Sequence, residues 1–299
     1  MRNGRTPVAG YYRLSFDRSR QRPVVNPLVP RLYSGFVRCF RYFRRTGLPI
    51  NRIFAANKEG RKAHFLQMHF PSTELVELAL LAGMDGVDLD GEQGHFDLSE
   101  IDEICRVANA AGMTVTARVP SVDTVPIKQY LARGVQGIQG PGVESGEQAQ
   151  ILSDACYYTP EGKRSWGPGR GHYYDYLPTM NDKFGGNKGY IADANENMFV
   201  IAQLESQASI DNLDAIVAVS GIDCITFGQN DMASSLGVPG EPAHDKVNAA
   251  HADLEKRARA AGKHLLSDRV SYVRATVALL DTMRGHLAEH RDDAVGHIG

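Results

Sequence analysis

Cysteine is scarce in this sequence: there are four among 299 residues, and tryptophan occurs once. The cysteines lie far apart and none forms a C-x-x-C pair, so the sequence predicts neither a zinc cluster nor a disulfide framework. We expect buried or inert thiols at all four positions, Cys39, Cys105, Cys156 and Cys224.

Long apolar runs are also missing, and no run approaches the roughly 20 residues that a transmembrane helix needs. The N-terminus is basic but lacks the apolar stretch and the small-residue cleavage site of a secretory signal. Hydrophobic residues make up 42% of the chain and charged residues 23%, which is ordinary for a soluble protein. We therefore predict a cytoplasmic location and no membrane partner.

A large excess of either charge is absent too, but the net charge of −2 hides an asymmetry. Residues 1–48 contain eleven arginines and one acid, whereas the remainder has 22 Lys or Arg against 34 Asp or Glu. This basic extension, with a short amphipathic helix expected over residues 34–45, could bind a nucleic acid or a membrane surface. Packing on the acidic body or on a partner subunit is the favoured interpretation, because an acidic body repels polyanions, and we predict no nucleic-acid partner.

Strand and helix patterns alternate regularly from Asn51 onward, with roughly 25 to 35 residues per unit. Such alternation favours a (β/α)8 TIM barrel over an open sheet. We assign residues 49–291 to this barrel domain and residues 292–299 to a tail. Residues 264–276 must supply the last one or two strands with almost no helix between them, so the closure of the barrel is the least regular part of the pattern.

One unit is interrupted by a long segment rich in glycine and tyrosine, residues 159–197. Connections of this length without secondary structure are uncommon in compact domains unless they are functional. We therefore expect this segment to act as a lid or as another functional loop.

Two carboxylates follow neighbouring predicted strands: Glu205 comes after FVIAQL, and Asp231 comes just after CITFGQ. Ligands bind at the carboxyl ends of the strands in parallel α/β folds. These two carboxylates, with Gln203 two residues before Glu205, suit a hard divalent cation that keeps open positions for water and substrate. The alternative from these residues alone is that the acids cap helices or carry solvated loop charges.

Several spaced motifs, taken together, resemble the HpcH/HpaI family of metal-dependent class II pyruvate aldolases, which includes the 2-keto-3-deoxy-sugar-acid aldolases. The likeness covers about residues 51–290. The motifs are D-G-E-x-G at 90–94, A-R-V-P at 117–120, I-K-Q-x-L at 127–131, G-I-x-G-P at 137–141, R-x-x-G-x-x-R-G-x-Y-Y at 164–174, Glu205, and F-G-x-N-D at 227–231.

The resemblance implies a (β/α)8 barrel whose last helix is exchanged between subunits of a homo-oligomer, a trimer or hexamer. It implies that Glu205 and Asp231 hold Mg²⁺, Mn²⁺ or Co²⁺, which a 2-oxo acid such as pyruvate then chelates. Backbone amides near Asn230 and Asp231 would receive the substrate carboxylate, with Gln203 beside it, and Arg118 would face the keto oxygen. The remaining expected contributors are Asp90 and Glu92, which would orient metal-bound water.

The chain departs from the family at a catalytic dyad. The family has a histidine where this chain has Gln93, and the aspartate that supports this histidine from a neighbouring subunit falls at Ala132. Glutamine cannot act as a general acid or base, since its amide does not titrate. His95 is one candidate for a substitute base, and the alternative is a loop histidine without a catalytic role. The other histidines considered are His172, which would reach the site only if its loop folds over it, and His69, expected at the barrel mouth.

These features predict a metal-dependent carbon–carbon lyase that acts on a 2-oxo acid through an enolate. The reaction is aldol cleavage, decarboxylation of an oxaloacetate-like acid, or an enolate-based bond formation. The alternative is a non-catalytic family member that binds a small oxo acid or a partner protein.

Overall fold

The structure is a computed structural model, and it describes residues 48–292. The basic extension with its expected helix, Cys39 and most of the tail lie outside the described residues. The strands are β1 (Ala63–Met68), β2 (Gly86–Asp90), β3 (Thr114–Arg118), β4 (Gly137–Gly140), β5 (Phe199–Leu204), β6 (Cys224–Phe227), β7 (His264–Leu265) and β8 (Val270–Arg274).

Helices follow nearly every strand. They are α1 (Arg52–Lys58), α2 (Thr73–Leu81), α3 (Leu98–Ala110), α4 (Thr124–Ala132), α5 (Gly146–Cys156), α6 (Leu177–Phe184), α7 (Asn187–Glu196), α8 (Gln207–Asp211), α9 (Leu213–Val217), α10 (Gln229–Ser235), α11 (Asp245–Ala260), α12 (Leu266–Arg269) and α13 (Ala275–His290). A 3₁₀ helix covers Arg170–Asp175.

All strand pairs are parallel, and the sheet order is β7-β6-β5-β4-β3-β2-β1-β8. The predicted (β/α)8 architecture is therefore confirmed. Strands β7 and β8 stand at the two ends of this order, and within residues 48–292 no ladder joins them. The curled sheet is thus completed by packing rather than by a last pair of hydrogen-bonded strands.

Local sequence explains why the helices begin where they do. Asp97 accepts hydrogen bonds from the first turn of α3 while the Glu100 side chain accepts from the Asp97 N–H, which forms a capping box. The apolar face of α3 is buried and consists of Ile101, Ile104, Cys105 and Ala108. Ser72 caps α2, where its side chain accepts a hydrogen bond from the backbone N–H of Leu75.

Two apolar cores lie on opposite sides of the strands. The larger packs the outward-facing strand residues against the helices, whereas the smaller lies inside the barrel. The inner core contains Phe65, Phe199, Ile201 and Cys224 from the strands, and α1 closes it from the amino-terminal end of the strands with Ile53 and Ala56. Because α1 plugs that end, the opposite, carboxyl-terminal end is left open for a site.

The cysteines within the described residues are free and buried, as expected. Burial raises the pKa of each of these thiols to about 12, so they stay protonated and unreactive at neutral pH.

Residues 159–197 do not form a lid over the strand ends of their own chain, so the lid expected there is wrong, whereas another functional role for this segment stays a prediction. The segment folds into the 3₁₀ helix, α6 and α7, and it packs at the amino-terminal end of the strands. Arg170 donates hydrogen bonds to the carbonyl oxygens of Cys105 at 3.0 Å and Arg133 at 2.7 Å. Asn197 accepts from the backbone N–H of Asn51 at 3.0 Å. Hydrogen bonds to carbonyls near the ends of α3 and α4 therefore fix the segment away from the open end.

The C-terminal part of the barrel is compressed as predicted. Strand β7 has two residues, and only the four-residue helix α12 separates it from β8. The final helix α13 buries a single residue, Ala275. Its large apolar side chains are between 43% and 54% exposed, and they are Val277, Leu279, Leu280, Met283 and Leu287.

Across residues 48–292, no helix is long and apolar enough to cross a membrane. The cytoplasmic location remains a prediction.

Candidate active site

The predicted site residues meet at the carboxyl-terminal end of the barrel. Asp90 ends β2 and Arg118 ends β3, and these two residues are register partners. Glu205 follows β5, and Asp231 lies in the first turn of α10 after the neighbouring strand β6. The pairing of β5 with β6 confirms that Glu205 and Asp231 extend from adjacent strands.

Arg118 is held between two carboxylates. Its Nε and Nη2 atoms donate to the two oxygens of Asp90 at 3.0 and 2.6 Å, and Nη1 lies 2.8 Å from Oε2 of Glu92. Asp90 also accepts the backbone N–H groups of Glu92 at 3.3 Å and Gln93 at 3.0 Å. The D-G-E-x-G motif thus folds back on its own aspartate, which fixes the guanidinium in a bidentate pair at the strand end.

Glu205 is held by neutral donors. Its Oε1 accepts the backbone N–H of Gly142 at 2.9 Å, and its Oε2 accepts from the side-chain amide of Gln203. Gln203 in turn accepts a hydrogen bond from Gln139. A Cβ atom at position 228 would lie 2.3 Å from Oε2 of Glu205, so only glycine lets the backbone that leads into α10 approach this carboxylate.

Negative charge is concentrated here. Burial raises the pKa of Glu205, and repulsion from the charge of Asp231 raises it further. The hydrogen bond from Gln203 acts in the opposite direction but does not cancel these effects. Burial also raises the pKa of Glu92, where repulsion from Glu205, Asp90 and Asp231 works against the attraction of Arg118. Burial alone would raise the pKa of Asp90, but its hydrogen bonds with Arg118 bring it below its usual value. Asp90, Glu92 and Glu205 therefore share the field of the Arg118 guanidinium.

The remaining predicted residues are more accessible. Asn230 and Asp231 are both exposed, at the beginning of α10. Gln93 and His95 are exposed as well, and their backbone N–H groups donate to Oδ1 of Asp90 and to the carbonyl oxygen of His69, respectively. Within the described residues, no hydrogen bond or ion pair holds the imidazole of His95 against the carboxylates. Its role as a substitute base stays untested.

Two contributors to the site were not identified from the sequence. His69, expected only to line the barrel mouth, has its Nε2 atom 3.5 Å from Oδ2 of Asp90, and its Nδ1 atom is buried without a partner. Gln139 supports Gln203 from the neighbouring strand. The sequence places both residues at or near the end of a predicted strand, which could have indicated that they belong to the site. Their partners could not be predicted, because each partner lies on another strand.

His172 does not reach the site. It is buried in an aromatic cluster, where it shares a hydrogen bond with the hydroxyl of Tyr158 and packs against Trp166 and Tyr190. Burial and the nearby Arg164 lower the pKa of His172 to about 4, so it is neutral at physiological pH. This position agrees with the interpretation that His172 has no catalytic role.

The two residues expected at the dyad positions, Gln93 and Ala132, lie at opposite ends of the barrel. Gln93 follows the carboxyl end of β2, whereas Ala132 ends α4, five residues before the start of β4. Strands of five residues separate the two ends by roughly 16 Å. Side chains at these positions can therefore meet only between subunits.

The donor set fits a divalent cation that takes two protein carboxylates. Within residues 48–292, no group of three or more His, Cys, Asp or Glu side chains is arranged to enclose a metal ion. Glu205 and Asp231 nevertheless offer hard oxygen ligands in a region with uncompensated negative charge. Mg²⁺ is commonly bound by one or two carboxylates, with water and substrate oxygens completing its shell.

A cavity of about 410 Å³ lies elsewhere. It opens at the amino-terminal end of the strands, between α3, α4 and residues 159–197, and no carboxylate of residues 48–292 lines it. We place the candidate site at the carboxyl-terminal end instead, because the carboxylates and Arg118 are there.

Parallel strands around a core, with clustered carboxylates at their carboxyl ends, define the class of (β/α)8 barrel enzymes. The chain belongs to the HpcH/HpaI aldolase/citrate lyase family, whose sequence pattern matches residues 66–283. The resemblance predicted from the motifs is confirmed.

Curated relatives include the 4-hydroxy-2-oxovalerate aldolase of Rhodococcus jostii (strain RHA1), which is 36% identical over 216 residues, or 72% of this chain and 80% of that protein. The 5-keto-4-deoxy-D-glucarate aldolase of Escherichia coli (strain K12) is 36% identical over 188 residues, or 62% of this chain and 70% of that protein. Among solved structures, the HpcH/HpaI aldolase of Desulfitobacterium hafniense DCB-2 superimposes with a TM-score of 0.70 at 23% identity, over 81% of this chain and 97% of that chain. The structural likeness supports the fold, and the sequence relatives make this chain an enzyme of the carbon–carbon lyase class.

Proposed function

We propose that this protein is a divalent-metal-dependent carbon–carbon lyase that acts on a small 2-oxo acid through a pyruvate-type enolate. The observation that carries the proposal is the charge balance of the site. Glu92 lies close enough to Asp90, Glu205 and Asp231 to be repelled by their charges, and the guanidinium of Arg118 pairs with Asp90 and Glu92. Such a site attracts a cation, and an enolate needs positive charge to stabilise its oxygen.

Glu205 and Asp231 would hold the cation, which we propose is Mg²⁺, Mn²⁺ or Co²⁺, because carboxylates accept such hard or borderline ions. When bound, the ion would supply Lewis-acid stabilisation of the substrate's keto oxygen. Gln203, fixed by Gln139, orients the Glu205 carboxylate and extends a polar surface towards the substrate. Exposed backbone groups at Asn230 and Asp231 would receive the substrate carboxylate.

Arg118 would stabilise the developing enolate charge. Its bidentate pair with Asp90 fixes the plane of the guanidinium, so that positive charge is oriented before substrate arrives. A neighbouring Glu92, whose pKa is raised, binds Nη1 and would orient water beside the cation. The positive charge of Arg118 and of the cation would together take the place of the electron sink that a Schiff-base lysine supplies.

The first experiment tests enolisation alone. In deuterated water with Mn²⁺, we expect the wild-type protein to incorporate deuterium into the methyl group of pyruvate, measured by NMR, and to lose this activity with a chelator. Without metal-dependent incorporation, the non-catalytic alternative, a protein that binds a small oxo acid or a partner, would replace this proposal.

Arg118→Lys should lower the rate of deuterium incorporation by about 10²- to 10³-fold, the usual effect of removing one oriented charge-stabilising donor. Lysine keeps the charge but cannot make the bidentate pair with Asp90. The matched control is Arg106→Lys, which alters a surface ion pair with Asp102 on α3. Equal rates in the Arg118 variant and the control would contradict the role of Arg118.

We further propose that the protein is a homo-oligomer, a trimer or hexamer. Neighbouring subunits would exchange their last helix, α13, so that each α13 packs on another subunit. The exposed apolar side chains of α13 support this, since monomers rarely expose a continuous apolar helix face. Sedimentation velocity at micromolar concentration should show an oligomer, and Leu280→Glu with Met283→Glu should shift it towards the monomer. A monomeric wild-type protein would contradict the proposal.

A further inference from the structure

The cavity of about 410 Å³ at the amino-terminal end of the strands has no part in the proposed reaction. It lies between α3, α4 and the docked segment 159–197. Its volume is typical of small-molecule sites, which measure roughly 300 to 1,000 Å³. Because Glu205 and Asp231 lie at the opposite end of the same barrel, a small ligand in this cavity does not reach them within one subunit.

Three cationic side chains line this cavity, which we call the basic cavity, and no acidic side chain of residues 48–292 does. They are Arg164, Arg170 and Lys183. Arg164 lies 4.7 Å from the ring centroid of Tyr158, and Lys183 lies 5.4 Å from that of Tyr173. Within the described part of the chain, none of the three cations forms an ion pair with a carboxylate. A cleft lined by charge of one sign attracts ligands of the opposite sign, so this cavity favours an anion.

Arg170 is held in position by the backbone of the two helices beside the cavity. Its Nη atoms donate to the carbonyl oxygens of Arg133 and Cys105, and these bonds use two of its five N–H groups. Gly134 leaves room for this arrangement, since a Cβ atom there would lie 2.6 Å from Nη1 of Arg170 and 2.7 Å from Nδ2 of Asn109. The guanidinium is therefore ordered before a ligand binds, which lowers the entropic cost of binding.

Two amide oxygens in the wall of the basic cavity lack a hydrogen-bond donor. The side-chain nitrogen of Asn109 donates to the carbonyl oxygen of Gly134 at 3.0 Å, and that of Gln136 donates to the carbonyl oxygen of Pro49 at 3.0 Å. Since a carbonyl oxygen only accepts, these bonds fix which end of each amide is the oxygen. Oδ1 of Asn109 and Oε1 of Gln136 are both buried, and neither accepts a hydrogen bond from residues 48–292. Buried polar atoms without partners are rare, so these two indicate a ligand that donates a hydrogen bond.

The remaining wall of the basic cavity is largely apolar and aromatic. Its aliphatic residues include Leu131, Val135 and Met198. Tyr173 and Tyr174 also line it, and both have a left-handed backbone, with φ values of 52° and 57°. Such conformations are costly for non-glycine residues and are concentrated at functional sites, including those that clamp a ligand. The wall therefore suits a ligand with an apolar, ring-shaped body.

We propose that the basic cavity is a second binding site, which takes a small aromatic carboxylate that carries a hydroxyl group. The carboxylate would pair with the cationic side chains, the ring would lie against the apolar wall, and the hydroxyl group would donate to Asn109 or Gln136. The site lies away from Glu205 and Asp231, so the proposal does not depend on the proposed function.

The test uses 4-(hydroxymethyl)benzoate as the probe, with a chelator present and no added metal. Trp166 is the single tryptophan of the chain, and its ring centroid lies 5.6 Å from that of Tyr190, which lines the cavity. We expect a saturable change in the fluorescence of Trp166, with a Kd below about 1 mM. The isosteric 4-ethylbenzoate, which lacks the hydroxyl group, and the uncharged 4-(hydroxymethyl)benzamide should each bind about threefold to tenfold more weakly.

Two substitutions test the cations by calorimetry. Arg164→Gln and Lys183→Gln should each weaken binding of the benzoate by about threefold to tenfold and leave the affinity for the benzamide unchanged. The matched control is Lys188→Gln, an exposed lysine on α7 of the same segment that does not line the cavity. It should bind the benzoate as the wild type does, and so should Glu205→Gln.

Three results would overturn the site. The first is no saturable binding to the wild type, as expected if water or another part of the chain fills the cavity. The second is equal affinity for the acid and the amide, or an unchanged affinity in both cavity variants. The third is loss of binding in Glu205→Gln, which would place the probe at the carboxyl-terminal end of the barrel.

Discussion

Glu205→Gln and Asp231→Asn are each expected to weaken Mn²⁺ binding by at least about 100-fold and to remove deuterium incorporation into pyruvate. Loss of a group that merely supports a metal ligand typically costs 10- to 100-fold in affinity, and these substitutions remove an anionic ligand itself. Only two protein carboxylates are assigned to the ion, so each substitution removes half of its anionic protein ligands. Isothermal titration calorimetry measures the affinity directly.

The control variants replace exposed acidic residues of the same two types, one glutamate and one aspartate, by the corresponding amides. Glu77→Gln on α2 and Asp182→Asn on α6 change the net charge equally but lie on exposed helix surfaces. Both should bind Mn²⁺ as the wild type does. Full metal occupancy in Glu205→Gln or Asp231→Asn would refute the ligand assignment, whatever the effect on activity.

Oxaloacetate decarboxylation is expected to exceed cleavage of a 4-hydroxy-2-oxo acid by a wide margin in the wild-type protein. Decarboxylation breaks the C3–C4 bond and leaves its electron pair on the enolate, so no alcohol proton has to be removed. Aldol cleavage breaks the same bond but also needs a base for the C4 hydroxyl proton. Gln93 cannot supply that base, and general acid–base catalysis contributes about 10² to 10⁴ in rate.

Restoring the dyad tests the same point in the opposite direction. Gln93→His together with Ala132→Asp should raise aldol cleavage more than the product of the two single effects, because the aspartate is useful only when an imidazole is present to orient. Since these positions lie at opposite ends of one barrel, the gain should disappear in a variant that sedimentation shows to be monomeric.

Two outcomes would contradict this prediction. In the first, the wild type cleaves a 4-hydroxy-2-oxo acid as fast as it decarboxylates oxaloacetate. In the second, His95→Ala abolishes that cleavage, which would make His95 the substitute base. His69→Asn is the informative comparison, because His69 approaches Asp90 at 3.5 Å whereas His95 has no such contact among the described residues.

The family motifs predicted the main site residues because those residues lie at strand ends. Alternation of strand and helix patterns fixes which side chains reach the carboxyl-terminal end, and it does so from local sequence alone. Glu205 was placed in this way, whereas Asp90 and Arg118 were assigned to the site by the resemblance to the family motifs, and the structure brings the three residues together. The contacts of His69 and Gln139 were missed because each partner lies on another strand, and periodicity carries no information about distances between strands.

The sequence by itself determined the parallel barrel, the order of its units, the compressed C-terminal part and the absence of a titratable side chain at position 93. These follow from composition, periodicity and motif spacing, all of which are local. Only the tertiary structure decided where residues 159–197 dock and how far apart Gln93 and Ala132 lie. Those features depend on packing between residues distant in sequence, where burial and long-range hydrogen bonds, rather than local propensity, select the arrangement.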